Sequence, residues 1–342
     1  MTETGMRRVA AAGVHATPAA GLAVRGALRA LSPGGRRGRL TVLIFHRVHE
    51  RRDPLFRSEL SADDFRTRMT WVRRWFNILP LDEAVRALAS GNVVERALSI
   101  TFDDGYADNA TIALPILREL GVHATFFIAS GFLEGGCMWN DAVIEAVRAT
   151  SHHTLDLTAQ GLGRHRVDTL EAKRAAIASL VGALKYLPVA ERDAKARAVE
   201  SCAGVERRRD LMMTQAQARG LAAAGMGIGG HTTTHPILAR LSDAHARAEI
   251  ADGRDALEAI VRQPVRLFAY PNGKPEVDYG SRDVAIVRAL GFEAALTTSP
   301  GSARMSTGVH ELPRFTPWDA TPWAWAGRLS RNLLIRPTRA AA

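Results

Sequence analysis

Thr101-Phe102-Asp103-Asp104-Gly105 is the stretch on which the reading of this chain turns. The apolar run Ala97-Leu98-Ser99-Ile100 leads into two adjacent carboxylates, and a glycine then breaks the run. Apolar runs of this length, closed by a turn residue, read as buried strands. Two acids at the buried end of a strand are costly unless a cation or hydrogen bonds offset them. The competing reading is a helix cap at a strand-to-helix turn, with Gly105 supplying the turn. The stretch alone leaves the two readings level, so the flanking chain has to decide.

Upstream, Leu40-Thr41-Val42-Leu43-Ile44-Phe45 is β-rich and apolar and delivers His46-Arg47-Val48 at its end. Ser61-Ala62-Asp63-Asp64 reads as a helix start, followed by Phe65, Met69 and Val72 at helical spacing. A short strand at Phe76–Leu79 and a helix from Leu81 through Leu88 precede the acidic pair. Downstream, Asp108-Asn109 reads as the cap of a helix carrying Ile112, Ile116 and Leu117, which Gly121 ends. Further strands are expected at Ala124–Ile128, at Gly225–Gly230 running into His231, at Val265–Tyr270, at Glu293–Thr298 and at His310–Phe315. Ser242 opens a helix over Asp243–Val261, and Val284–Leu290 reads as another.

Strands alternating with helices imply a parallel sheet with helices outside it. Seven or eight strands suggest a closed barrel, with functional residues at the C-terminal strand ends. His46, Asp103, Asp104, His231 and Tyr270 all fall there. From Trp139 to about Asp210 the strand signals vanish, and three helical stretches take their place. The expected organisation is a tail or linker at 1–38, with a short amphipathic helix over Leu22–Leu31, and a barrel domain at 39–330. A helical insertion at about 140–212 interrupts the barrel, and a C-terminal tail follows at 331–342.

The composition is that of a globular protein: 342 residues, 46% hydrophobic and 23% charged. The net charge of +10 is spread along the chain without a nucleic-acid motif, so it reads as a solvated basic surface and no nucleic-acid partner is expected. Cys137 and Cys202 have no CxxC partners, which argues against a zinc knuckle or redox pair and for free thiols. No run reaches the ~18 apolar residues of a membrane span. His15, Pro18 and Arg25 interrupt the N-terminal Ala/Gly stretch, leaving no clean signal-peptide core, and a cytoplasmic location is expected.

His231-Thr232-Thr233-Thr234-His235 follows the glycine-rich run. Two histidines four apart share a face if the turn is helical. Imidazole nitrogens bind transition metals, and the glycines leave room for close approach. Joined to the acidic pair, they complete a two-His-one-carboxylate site with a position open for water. The cation offsets the two acids, and the second Asp is left to act as a base.

Together, Thr101-Phe102-Asp103-Asp104-Gly105 and His231-Thr232-Thr233-Thr234-His235 resemble the first two motifs of the polysaccharide deacetylases. These are the carbohydrate esterase family 4 enzymes with a nodulation-protein-B homology domain. The resemblance covers roughly residues 40–315. It implies an α/β fold, a deformed (β/α)7-type barrel, and a metal-dependent hydrolase that removes N-acetyl groups from amino sugars of a polysaccharide, oligosaccharide or glycolipid. Carried over by position, it implies Asp104, His231 and His235 as ligands of one divalent ion, zinc first and cobalt, nickel or iron as alternatives. It implies Asp103 as the base that deprotonates the metal-bound water, and a backbone N–H at Tyr270, in Phe268-Ala269-Tyr270-Pro271-Asn272-Gly273, as the oxyanion donor.

Two departures from the family pattern stand out. The Arg that orients the base is expected beside a Pro in the third motif, but Arg266 is displaced from it. The last strand reads His310-Glu311-Leu312-Pro313-Arg314 in place of a Leu-x-His. Both resemble the branch acting on poly-N-acetylglucosamine, which has a first-strand His like that of Ile44-Phe45-His46-Arg47-Val48. His46 is therefore the expected general acid, with His310 in reserve. Asp278-Tyr279 is a weak candidate for supporting the base, and Trp139-Asn140-Asp141 for lining a sugar cleft. The alternatives are an amidohydrolase acting on another non-peptide C–N bond, and an inactive glycan-binding barrel.

Overall fold

A computed structural model describes residues 18–317 and 319–340 of the chain. Strands β1 (Leu40–Phe45), β2 (Asn77–Ile78), β3 (Ala97–Phe102) and β4 (Thr125–Ile128) come first. An antiparallel hairpin, β5 (Thr154–Leu157) and β6 (Gly163–Arg166), lies apart from the main sheet. Strands β7 (Gly227–Gly230), β8 (Leu267–Ala269) and β9 (Ala294–Leu296) complete that sheet. It runs β1-β3-β4-β7-β8-β9, with β2 beside the start of β3, and every strand pair in it is parallel. The segment 312–315 bridges the two ends of the sheet, pairing Leu312 with Leu296 and Phe315 with Leu43. The sheet thus curls into a deformed α/β barrel, as the alternating pattern requires.

Alternation along the strands sorts the core into two faces. Leu43, Phe45, Ile100, Phe102, Phe126 and Phe268 pack outward in one cluster with Phe65 and Met69 of α2 (Ala62–Trp75). Leu40, Val42, Phe127, Ala269, Leu296 and Leu312 form a second cluster on the opposite face, inside the curl. Asp103 continues the inward set of β3 after Thr101, and β3 stays in register with β1 up to the Phe45–Phe102 pair. Period two therefore aims Asp103 into the barrel mouth.

The N-terminal helix α1 (Pro18–Leu31) buries Val24 and Leu28 in the main core, and α11 (Pro322–Asn332) packs beside it. Beyond α11, Leu333 is buried, and Thr338 and Ala340 hydrogen-bond to Ser299 and Glu311. The described segments on either side of 39–330 therefore pack on the barrel, and residues 1–17 of the expected tail lie outside the described residues. The reason is that the apolar stripe of α1 and the α11 face carrying Trp325 and Leu329 meet on the barrel wall. Trp325 donates to the Pro317 carbonyl and packs edge-on to Trp71.

The insertion is not purely helical. Helices α5 (Trp139–Ala149), α6 (Leu170–Leu184) and α7 (Val189–Ala203) enclose the β5–β6 hairpin around a core of their own, which includes Val143, Leu155, Leu157, Leu180 and Val199. The hairpin follows from Thr154-Leu155-Asp156-Leu157, whose residues alternate between exposed and buried.

Candidate metal centre

The Asp103 N–H donates to the Phe45 carbonyl at 2.9 Å, so Asp103 is still held by the sheet. Asp104 then turns out of it with φ +76, its carbonyl accepting from the Ala129 N–H. The two carboxylates diverge at this step. A non-glycine residue in the left-handed region is strained, and such strain persists where neighbours fix it.

The glycine-rich β7 has a steric cause. A Cβ at Gly229 would meet the Phe127 ring at 2.3 Å. The strand lies flat against Phe127 and delivers His231 to the rim. From there an irregular, non-helical turn brings His235 back. Thr232 has φ +66 and His235 φ +52, and the Thr232 hydroxyl accepts from the His235 N–H. Glu249 on α9 (Asp243–Val261) accepts from the N–H groups of Thr233 and Thr234 and from the Thr234 hydroxyl. Gly253 on the same helix lets it approach the turn, because a Cβ there would lie 2.7 Å from the Thr232 carbonyl carbon.

The result is a convergent set. The Nε2 atoms of His231 and His235 each lie 3.4 Å from Asp104 Oδ1. That oxygen is buried and has no hydrogen-bond partner. His231 Nδ1 bonds the Ala269 carbonyl at 2.7 Å, which leaves Nε2 facing the acid. A bond at the other ring nitrogen is the usual way an imidazole is oriented for a metal. Burial pushes the His235 imidazole down to about 4, so it is neutral and has a free lone pair. Burial alone would raise the Asp104 carboxyl, but the two imidazoles hold it well below the usual range. Two neutral-capable nitrogens around an orphaned carboxylate oxygen fit a divalent transition metal such as zinc.

Asp103 is kept out of this set by Arg314. The guanidinium donates to Asp103 Oδ1 at 2.7 Å and Oδ2 at 2.8 Å, and further to the Thr297 carbonyl. Both groups are buried. Burial would raise the Asp103 carboxyl, but Arg314, with His231 next, holds it below the ordinary range. Arg314 was missed in the sequence although it stands beside Pro313, the kind of pair expected in the third motif. Arg266 instead pairs with Glu293 on the surface.

His46 follows β1 at the mouth of the same cleft, exposed, with its carbonyl held by the Asn109 side chain. Asp108 holds the adjacent loop through Arg47 and the Val48 N–H. These two residues therefore position the first loop, and Asp108 makes no side-chain cap on the helical turn that follows it. Tyr270 is not brought to the cleft. Its N–H donates to the Leu296 carbonyl at 3.1 Å and its hydroxyl to the His310 carbonyl at 3.0 Å. Asn272 lines the cleft instead, with φ +58 and an N–H that has no partner among the described residues. His310 faces away, its Nε2 on the Phe292 carbonyl. Asp278 braces its own loop at the Lys274 N–H. Trp139 and Asp141 line the cleft, whose volume is about 330 Å³.

Comparison with known proteins gives a consistent picture. A family model described as polysaccharide deacetylase matches residues 90–182 and 189–295. A Bacillus subtilis (strain 168) protein named as a polysaccharide deacetylase, YxkH, is 19% identical over 278 residues, 81% of this chain and 70% of its own. The structure of the Streptococcus pyogenes deacetylase PplD in complex with acetate superposes with a TM-score of 0.56 at 19% identity, covering 84% of this chain and 96% of that one. IcaB from Ammonifex degensii gives 0.55 at 18% identity, covering 88% and 97%. These two solved structures share the fold described above.

Proposed function

The chain belongs to the polysaccharide deacetylase family, hydrolases of the N-acetyl amide bonds of polysaccharides, and we propose that it is a metal-dependent N-deacetylase of an acetylated glycan or glycolipid. The observation that carries the metal dependence is the approach of two imidazole nitrogens to the orphaned Asp104 Oδ1, each at 3.4 Å.

In this reading Asp104, His231 and His235 hold the ion. Bound there, a divalent cation supplies a Lewis acid for the acetamide carbonyl and lowers the pKa of a water. Asp103 takes the proton of the attacking water on its carboxylate. Arg314 fixes the plane of that carboxylate and keeps it ionised, so it is ready to accept a proton at neutral pH. The unpartnered Asn272 N–H, in place of Tyr270, is the donor available to the oxyanion that develops as the carbonyl is attacked. His46, exposed at the cleft mouth, protonates the leaving amine, and acetate and a free amino sugar result.

Acetate release measured on poly-N-acetylglucosamine, chitin oligomers, peptidoglycan and lipid-linked sugars tests this reading. Release is expected from at least one of them, to stop on chelation and to return with added zinc. Turnover that survives rigorous chelation contradicts the metal-dependent reading, and no release on any glycan favours the inactive binding barrel.

A further inference from the structure

The outer wall of the cleft comes from the insertion and carries charge that the deacetylation site does not use. Four cationic side chains line the cleft, Arg47 from the loop after β1 and Arg148, Lys185 and Arg192 from the insertion. Two are committed. Arg47 pairs with Asp108 at 2.8 Å, and Arg148 makes a two-pronged pair with Asp53 at 2.7 and 2.9 Å. The other two are not. Arg192 is 95% buried, yet its Nε has no hydrogen-bond partner, and Asp193, at 3.9 Å, is beyond hydrogen-bonding distance. Its guanidinium lies over the Trp139 ring, 5.1 Å from the centroid, which fixes its plane. Lys185, just past the end of α6, has no carboxylate partner among the described residues, and its ammonium lies over the Tyr186 ring, 5.5 Å from the centroid.

The acids that face the same space do not neutralise this pair. Glu59 is engaged by His49, Asp141 accepts from the Tyr106 hydroxyl, and Asp103 is forked by Arg314. A buried guanidinium with an unused donor is costly unless a ligand completes it. Its planar donors match phosphate and carboxylate oxygens.

We propose that Arg192, stacked on Trp139 and assisted by Lys185, is an anion subsite that selects acetylated glycans carrying a phosphate or carboxylate near the scissile acetamide. The inference rests on the deacetylase reading and adds the substrate class to it. A neutral homopolymer would leave Arg192 unsatisfied, whereas a sugar phosphate or a uronic acid neighbour would complete it. The insertion, with a core separate from the barrel's, is then the element that sets specificity.

Calorimetric binding to the full-length protein tests this without requiring turnover. The probes are chitotetraose, which is neutral, a hyaluronan tetrasaccharide, which carries carboxylates, and N-acetyl-α-D-glucosamine 1-phosphate. At least one anionic probe is expected to bind about tenfold more tightly than chitotetraose at low salt, and to lose that advantage as sodium chloride screens it. Which anionic probe gains shows whether the source is carboxylate or phosphate. Arg192→Gln is expected to abolish the advantage and leave chitotetraose binding unchanged. Lys185→Gln, at a half-exposed position, is expected to reduce the advantage and serves if Arg192→Gln does not fold. Equal binding of all three probes by the unsubstituted protein overturns the proposal, as does a preference that survives both substitutions. Anion preference without acetate release on any glycan would remove the hydrolase reading and keep the subsite. Acetate release with equal binding of all three would do the reverse.

Discussion

Arg314 and Asp103 stand 211 residues apart in the chain and meet as a closed, buried fork. A lone buried carboxylate beside Asp104 would be expensive, and removing one partner of a buried pair costs about 3–5 kcal/mol. The fork does more than neutralise, because it fixes the orientation of the carboxylate proposed as the base. Arg314→Lys keeps the charge but loses the second prong. We expect acetate release to fall about 100-fold, as misplacement of a reacting group by about an ångström does, with metal content unchanged. Equal loss of metal and activity would instead place Arg314 in support of the ligands. Asp141 carries a second residue-scale consequence. Burial pushes its carboxyl up to about 7, against an ordinary value of 3.8. Because the folded-state value is the higher one, the stabilisation is complete below about pH 4 and is lost as pH rises through about 7. Asp141→Asn keeps an acceptor for the Tyr106 hydroxyl and cannot ionise. Thermal melts from pH 4 to 8 should show the variant gaining on the unsubstituted protein as pH rises. Parallel curves would contradict the assignment.

At the scale of elements, the shape of the proposed metal site depends on how closely α9 approaches the 231–235 turn. Gly253→Ala puts a methyl where the Thr232 carbonyl carbon now sits within 2.7 Å. Overpacking of this kind costs about 1–3 kcal/mol. The expected outcome is a lower melting temperature with a weakened affinity for zinc, measured by titration into the metal-stripped protein. An unchanged zinc affinity would show that the turn holds its shape without this contact. Strands β1 and β3 were legible because each is a short apolar run ending in a polar residue, as at Phe45-His46 and Phe102-Asp103. The acidic pair and the spaced histidines were legible for the same reason: their chemistry is local. The Pro313-Arg314 pair is visible in the sequence, but that Arg314 reaches Asp103 is not, because the two meet only when 312–315 closes the barrel. The surroundings of Tyr270 were not legible for a related reason: only the closed sheet shows that its N–H is used by the Leu296 carbonyl and that Asn272 lines the cleft. The β5–β6 hairpin carries a visible two-residue alternation, but helical signals on both sides obscure it.

Across the whole molecule, one face of the protein is built from two sources. The barrel rim supplies the acids, the imidazoles and Arg314, and the insertion supplies the opposite wall with Trp139, Lys185 and Arg192. The two have separate apolar cores, so the wall can vary in sequence without disturbing the rim. The central claim is that the adjacent acids divide their labour, Asp104 as ligand and Asp103 as base. Zinc content and acetate release, measured together on Asp103→Asn and Asp104→Asn, test it most directly. The account predicts that Asp103→Asn retains the metal and loses turnover by about 100-fold or more, within the range typical of a removed base. It predicts that Asp104→Asn loses both. Loss of the metal from Asp103→Asn, with its retention in Asp104→Asn, would contradict the account.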